Sequence, residues 1–125
     1  FDFLRRLVDD NLIPNDVTVQ VLVQAREHLI AKSFEALNGV KKATVHLYNS
    51  TSVAQRKIVF SKTKEEIIVL ALEGVELVKK YEANHDGEIY LEYSPESFTG
   101  TELEFSAQIC NAVTAAWGIS ESRKV

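Results

Sequence analysis

Three short stretches of alternating apolar and polar residues are separated by longer stretches in which apolar residues recur at helical spacing. The alternating stretches, which are typical of half-buried strands, are residues 17–24, 43–48 and 88–94. The stretches with helical spacing are residues 1–12, 27–37 and 63–81, and a fourth that ends near residues 117–118. One helix followed by three strand–helix units predicts an α/β fold whose parallel strands are joined by right-handed crossovers.

Two Thr-x-x-Glu sequences predict where the last two helices begin. In a capping box, a threonine hydroxyl bonds the backbone three residues ahead, and the glutamate at that position bonds back. Thr63 and Glu66 have this spacing, and so do Thr99 and Glu102. Residues 49–62, which precede the first of these boxes, are interpreted as a polar connecting stretch.

Each predicted strand has one apolar face and one face that is partly polar. The apolar faces consist of Val17, Val19, Val21 and Val23; Ala43, Val45 and Leu47; and Ile89, Leu91 and Tyr93. The opposite faces consist of Thr18, Gln20, Leu22 and Gln24; Thr44, His46 and Tyr48; and Tyr90, Glu92 and Ser94. A parallel sheet covered by helices on both sides is expected to be apolar on both faces. The pattern therefore leaves two architectures, a two-layer sheet with one open face or a closed barrel with a partly polar interior.

The position of the reactive side chains favours the barrel. In a barrel of eight parallel strands, active sites lie at the carboxyl ends of the strands. The reactive side chains of this chain lie at those ends: Gln24, Arg26, His46, Tyr48, Ser94 and Glu96. Because such a barrel takes about 250 residues, three strand–helix units form only part of it. We interpret residues 1–125 as one piece of a partial (β/α)8 TIM barrel, which needs the rest of its barrel or a second copy to cover its open edges.

The composition limits the partners that the chain can bind. A net charge of -4 and a pI of about 5.4 argue against nucleic acid or an anionic membrane surface. No apolar run approaches the ~20 residues of a membrane-spanning helix, and no signal-peptide pattern opens the chain. Cys110 is the single cysteine, which excludes an internal disulfide and fits a reducing compartment. We therefore expect a soluble, intracellular chain, and its start without Met and loop-like residues 120–125 fit an internal fragment.

Three side chains near the predicted strand ends are candidates for chemistry. His46 could donate a hydrogen bond or act as an acid or base, or it could be a core histidine satisfied by its neighbours. Glu96, in a predicted loop after Pro95, could orient a base, bind a cation or carry a proton, although a single loop glutamate is more often solvated. Ser94 could bond a substrate oxygen or cap the turn. The clustering of these residues favours a functional role.

Other polar residues are expected to be structural or solvated. His28 is expected to be a surface residue or to be satisfied by its neighbours, and His85 is expected in a solvated turn. The basic pairs around Arg56 and Lys62 could meet a cofactor phosphate, but solvated charges are the simpler interpretation. Asn49 opens a glycosylation sequence, which carries little weight without a secretory signal. Because no phosphate-binding loop, His-x-His or Cys-x-x-Cys sequence occurs, we predict no metal site within the chain.

Two segments closely resemble the strand ends of 2-isopropylmalate synthases of the longer class. They are residues 45–52, Val-His-Leu-Tyr-Asn-Ser-Thr-Ser, and residues 93–105, Tyr-Ser-Pro-Glu-Ser-Phe-Thr-Gly-Thr-Glu-Leu-Glu-Phe. Residues 1–3, Phe-Asp-Phe, and residues 18–22, Thr-Val-Gln-Val-Leu, fit the same family. The likeness extends over essentially the whole chain, and the second segment is long enough to be specific.

The resemblance implies a (β/α)8 catalytic barrel and a reaction. Such enzymes condense acetyl-CoA with 2-oxoisovalerate to give 2-isopropylmalate in leucine biosynthesis, and a divalent cation (Mg, Mn or Zn) polarises the keto group. By this likeness, His46, Tyr48 and Ser94 bind substrate, and Glu96 is a catalytic residue that helps to orient the reacting groups. The family also suggests a homodimer and a cytoplasmic location, or an organellar one in a eukaryote.

Several parts of that family are expected outside these residues. The Asp-Arg metal motif of its first strand and the His-x-His pair near its seventh strand are absent here, and so is the leucine-sensing regulatory domain.

Two alternatives remain open. One is a related condensing enzyme, such as a homocitrate or citramalate synthase, and the other is a non-enzymatic half-barrel module.

Because the metal ligands are expected outside this chain, we predict that the 125-residue chain alone does not turn over substrate. The measurement is CoA release from the purified chain with acetyl-CoA, 2-oxoisovalerate and magnesium. Release above the rate of a protein-free control would contradict the prediction.

Overall fold

The computed structural model describes residues 1–121, 123 and 125, and within them a single sheet of three parallel strands alternates with helices. The strands are β1 (Val19–Gln24), β2 (Lys42–Ser50) and β3 (Glu88–Glu96), in the order β1-β2-β3. The helices are α1 (Asp2–Asp9), α2 (Glu27–Leu37), α3 (Lys64–Glu82) and α4 (Leu103–Trp117). The predicted order of a helix and three strand–helix units is confirmed.

None of these helices, in the part of the chain that the structure describes, combines the length and apolar character that a membrane span requires. Of the loop predicted at residues 120–125, Ser122 and Lys124 lie outside the described residues.

The strands pair in one continuous register that places their polar faces side by side. Leu22 lies opposite His46, and His46 lies opposite Glu92. The pairing of β2 with β3 continues to Ser50 and Glu96. Both strands therefore extend two residues beyond their predicted carboxyl ends, and Glu96 ends a strand, so its predicted place in a loop is wrong.

The first helix and the first strand are shorter than predicted. α1 ends at Asp9 because Asn11, with φ +52, takes the left-handed conformation, which an α-helix cannot continue. β1 begins at Val19, two residues later than predicted. Neither change alters which side chains share a face of the sheet.

One face of the sheet is buried beneath α2, α3 and α4. Its central side chains, Ala43, Val45 and Leu47, are inaccessible to solvent. The helices cover them with apolar residues, among them Ile30, Leu37, Ile67, Val75, Phe105, Ile109, Val113 and Trp117. The opposite face is open, and Leu22 on it is 64% exposed. The predicted division into an apolar and a polar face is confirmed.

The close approach of α3 to the sheet depends on a glycine. A Cβ atom at Gly74 would lie 2.9 Å from the Cβ of Ala25 and 3.1 Å from a methyl carbon of Leu47. Since interiors are close-packed, a side chain there would push the helix outward. Gly74 thus fixes the distance between α3 and the strand that carries His46.

The stretch after β2 is structured rather than merely polar. Residues Gln55–Phe60 form a π-helix, which Ser61 ends in the left-handed conformation at φ +51. Arg56, within it, is 6% exposed, so the expectation that it is solvated is wrong. Its guanidinium donates to both carboxylate oxygens of Glu102 at 2.9 and 2.8 Å and to the carbonyl of Thr51.

Only one of the two predicted capping boxes forms. Thr63 Oγ1 accepts from the Glu66 amide at 3.3 Å, and the Glu66 carboxylate accepts from the Thr63 amide at 2.8 Å. The box at Thr99 is wrong, because residues Phe98–Gly100 form a 3-10 turn and α4 begins at Leu103. The buried guanidinium of Arg56 holds the carboxylate of Glu102, so this carboxylate does not cap a helix at Thr99.

We predict that Thr63→Ala lowers the free energy of unfolding by about 1 kcal/mol, since it removes an N-cap hydrogen bond. Thr99→Ala is the matched control, because this exposed threonine caps no helix. Its effect should stay within about 0.5 kcal/mol, as for other surface substitutions. Urea denaturation of the purified variants measures both values. Equal effects would contradict the assignment of the caps.

Candidate functional site

The open face of the sheet brings four polar side chains together. They are Gln20 from β1, His46 from β2, and Glu92 and Ser94 from β3. Because alternate residues of a strand point to the same face, the register that aligns His46 with Glu92 also brings Gln20 and Ser94 within reach. We call these four residues the histidine cluster.

His46 is the centre of the histidine cluster. Its Nε2 lies 2.7 Å from Ser94 Oγ, and its Nδ1 lies 3.1 Å from Gln20 Nε2. The carboxylate of Glu92 lies 3.3 Å from the same Nδ1 and accepts a hydrogen bond from Gln20 at 3.1 Å. Both nitrogens therefore have protein partners. The imidazole is 18% exposed, so part of the ring remains open.

Glu96 belongs to a second set of contacts, one step further along the strands. Its side chain accepts a hydrogen bond from Ser50 Oγ at 2.5 Å, and its carbonyl accepts from the amide and hydroxyl of Thr51 at 3.1 and 3.2 Å. The structure thus joins His46 with Ser94 and places Glu96 beyond them at the rim. Ser50 was missed by sequence reasoning, although its register with Glu96 follows once β2 and β3 are extended.

Tyr48 lies on the same open face and is half-buried. It is the register partner of both Gln24 and Ser94, so it stands between the ends of β1 and β3. Arg26, predicted near this edge, is exposed just after β1. Gln24 and Glu96 end β1 and β3, and Tyr48 and Ser94 lie two residues before the ends of β2 and β3, whereas His46 lies in the middle of β2.

Below the rim, the ends of β2 and β3 are tied to α3 by a buried amide. Tyr93 donates from its hydroxyl to Asn49 Oδ1 at 2.6 Å, and Asn49 Nδ2 donates to the carbonyl of Ile67 at 3.4 Å. Burial raises the pKa of Tyr93 above its ordinary value, with a smaller contribution from Cys110, so the phenol stays a proton donor. Asn49 is 5% exposed, which agrees with the little weight given to its glycosylation sequence.

The remaining candidates lie away from this edge. His28 is exposed, as predicted. The expectation for His85 is wrong, because it is half-buried, its Nε2 bonds the carbonyl of Val40 at 3.1 Å, and its ring meets Phe34 edge-on. Cys110 packs against the core, and burial raises the pKa of its thiol, so it behaves as a small core group.

A divalent cation would need more ligands than these residues supply. Among residues 1–121, 123 and 125, no group of three or more His, Cys, Asp or Glu side chains is arranged to hold a metal ion. The closest approach to such a set is the pair His46 and Glu92, and His46 Nδ1 already faces Gln20.

An ion pair between the buried Arg56 and the half-buried Glu102 holds the loops behind this edge. Hydrogen bonds from Arg56 are the main reason why the pKa of Glu102 falls from its ordinary 4.5 to about 2. Lys64 adds a second cation 3.2 Å from the same carboxylate. Arg56 also stacks over Phe105, with 4.9 Å between the guanidinium carbon and the ring centre. The pair joins the π-helix after β2 to the start of α4. It thereby connects the loop that follows the strand of His46 to the loop that follows the strand of Glu96.

The chain matches a known protein family. The family model described as HMGL-like matches residues 1–121, and the chain belongs to this family. HMGL-like domains are TIM barrels, so the three parallel strand–helix units form part of such a barrel, as predicted.

Relatives of the chain carry one name. A protein of Desulfitobacterium hafniense (strain Y51) named 2-isopropylmalate synthase is 57% identical over 125 residues, which cover 100% of this chain and 22% of the relative. Proteins of the same name from Clavibacter michiganensis and Clostridium acetobutylicum are 57% and 53% identical, over 21% and 23% of their lengths. The resemblance noted in the sequence is confirmed, and the chain spans less than a quarter of these relatives.

The ion pair leads to a pH-dependent prediction. The folded pKa of Glu102 lies below its ordinary value, so the pair contributes stability above about pH 4.5 and loses it as the pH falls towards 2. Glu102→Gln should lower stability at neutral pH, because Arg56 stays buried without its main counter-charge. It should also make stability fall less steeply as the pH drops below about 4.5.

The measurement is the urea midpoint as a function of pH. Glu104→Gln is the matched control, since Glu104 is an exposed carboxylate on the same helix. If the urea midpoint of Glu102→Gln fell with pH as steeply as that of wild type, another group would be the cause of the loss of stability in acid.

Proposed function

We propose that the full-length protein containing this chain condenses acetyl-CoA with 2-oxoisovalerate to form 2-isopropylmalate, a step of leucine biosynthesis. The observation that carries the proposal is the contact between His46 and Ser94 on the open face of the sheet. Both residues lie in the two segments that resemble 2-isopropylmalate synthases. Relatives with that name match the whole chain at 53–57% identity.

In this proposal, His46 and Ser94 bind the keto acid. His46 Nε2 and the Ser94 hydroxyl are bonded to each other at 2.7 Å, so the imidazole holds the hydroxyl in place while the hydroxyl bonds a carboxylate or keto oxygen of the substrate. Leu22, the register partner of His46 on β1, is 64% exposed on the same face and supplies an apolar surface for an isopropyl group. Tyr48 adds a further polar contact at this edge.

Glu96 is proposed as the catalytic carboxylate. It lies at the end of β3, where the open face meets the strand ends, and Ser50 holds one of its oxygens. A carboxylate fixed in this way keeps its second oxygen free to orient a reacting group or to hold a proton in transit. The mechanism requires Glu96 to point towards the substrate bound by His46 and Ser94.

The rest of the proposed enzyme lies beyond these residues. A divalent cation that polarises the keto group needs ligands from elsewhere in the protein, because the described residues do not form a set for it. The remaining strands of the barrel, a second subunit in a homodimer and a cytoplasmic location are part of the same proposal. Acetyl-CoA is its second substrate.

Related condensing enzymes act on other keto acids, and the cluster favours one kind of substrate. The Glu92 carboxylate, 3.3 Å from His46, places negative charge beside the proposed binding group. A dicarboxylic keto acid would bring a second carboxylate near it, at an electrostatic cost. A monocarboxylic, branched keto acid avoids that cost.

The test uses the purified full-length protein. We expect CoA release to depend on 2-oxoisovalerate in preference to 2-oxoglutarate or pyruvate. His46→Ala should raise KM for 2-oxoisovalerate by about 10- to 100-fold, since the Ser94 hydroxyl that bonds the keto acid loses the imidazole that holds it in place. His28→Ala, an exposed histidine, is the matched control and should keep the wild-type KM. A preference for 2-oxoglutarate or pyruvate would overturn the proposal.

A further inference from the structure

We propose that Gln20 is a positioning residue that holds His46 in the neutral form protonated at Nε2, and that Glu92 anchors Gln20 in the required orientation. The kinetic consequence rests on the function proposed above. The proposal itself concerns hydrogen bonds within the histidine cluster, which can be observed without substrate.

The first step is the orientation of the Gln20 amide. Its Nε2 lies 3.1 Å from a carboxylate oxygen of Glu92 and 3.1 Å from His46 Nδ1. An amide nitrogen carries two hydrogens, so one Gln20 side chain can donate to both partners at once. Rotating the amide by half a turn would set its oxygen against the Glu92 carboxylate, so that two acceptors face each other. Glu92 therefore selects the orientation in which Gln20 is a donor.

The second step follows from the donor role of Gln20. An imidazole nitrogen that accepts a hydrogen bond carries no proton, so the proton of the neutral ring lies on Nε2. Nε2 then donates to Ser94 Oγ, 2.7 Å away. The serine hydroxyl, having accepted, can direct its own hydrogen outward to a substrate oxygen. The chain of donors therefore runs from Gln20 through His46 and Ser94 to the keto acid, and each bond polarises the next.

The competing arrangement uses the same atoms differently. Glu92 lies 3.3 Å from His46 Nδ1 and could accept a hydrogen bond from it directly, if the ring carried its proton on Nδ1. In the neutral ring, Nε2 would then be an acceptor, and the Ser94 hydroxyl would point its hydrogen inward. No donor would remain for a substrate oxygen. The geometry favours Gln20, whose contact with Nδ1 is the shorter one and has hydrogen-bond geometry.

Kinetics of the full-length protein separate the two arrangements. Gln20→Leu keeps the size of the side chain but removes both donors, and should raise KM for 2-oxoisovalerate by about tenfold, with a much smaller change in KM for acetyl-CoA. Gln108→Leu is the matched control, because it makes the same change at an exposed glutamine of α4. It should keep KM for the keto acid within about twofold of wild type, as for other surface substitutions. A wild-type KM for the keto acid in Gln20→Leu would overturn the proposal, because the direct contact of His46 with Glu92 would then suffice.

A second measurement needs neither activity nor a substitution of Gln20. Protonated and unprotonated imidazole nitrogens differ widely in 15N chemical shift, so solid-state NMR of sedimented, 15N-histidine-labelled full-length protein reports the tautomer. The resonances of His46 are assigned from those absent in His46→Asn. We expect Nδ1 to be unprotonated and Nε2 protonated, whereas a protonated Nδ1 would refute the proposal. If wild-type protein shows no condensation with 2-oxoisovalerate, the proposed function fails, and the NMR result still decides the role of Gln20.

Discussion

The parallel register of β2 with β3 is the constraint on which the rest of the structure depends. It aligns His46 with Glu92 and Ser50 with Glu96, and it extends to the ends of both strands. A shift by one residue would turn the polar side chains towards the helices and the buried valines towards the open face. The apolar face under α2, α3 and α4 therefore stabilises the site indirectly, because burial of Val45 and Leu47 fixes which side of the strand His46 occupies.

Two sets of polar contacts then hold the strand ends in place. On the open face, the histidine cluster links all three strands through side chains. Behind that face, Arg56 joins the π-helix to the start of α4 through Glu102, and Asn49 joins Tyr93 to α3. Charged and amide groups in buried places are costly unless their hydrogen bonds are satisfied. The hydrogen bonds of Arg56, Asn49 and Tyr93 satisfy such groups behind the sheet, and they leave the open face free for a ligand.

The sequence predicts the local features of this fold well and its long-range contacts poorly. Alternation gave the strands and their faces, because each residue's side follows from a period of two. It could not show that Arg56 is buried, since its partner Glu102 is 46 residues away. The wrong capping box at Thr99 has the same cause. Thr63 and Thr99 begin the same local sequence pattern, but the long-range ion pair with Arg56 holds the glutamate of the second one.

The resemblance supplied His46, Ser94 and Glu96 as candidates, and the structure shows the first two in contact. The roles proposed for these residues go beyond what the resemblance and the structure show. Gln20 and Glu92 were visible only as members of the polar faces. Their contact with each other requires the register of three strands and the reach of two long side chains, which no pattern within one strand contains.

The buried side chain of Asn49 has a consequence for production of the protein in other hosts. Its amide nitrogen bonds the carbonyl of Ile67 and its oxygen accepts from Tyr93, so both atoms of the amide have partners in the folded chain. Export through a eukaryotic secretory route would present Asn49-Ser50-Thr51 to the glycosylation machinery before folding. A sugar attached there would occupy the space between β2, β3 and α3. Secreted material would then be trapped in a misfolded state.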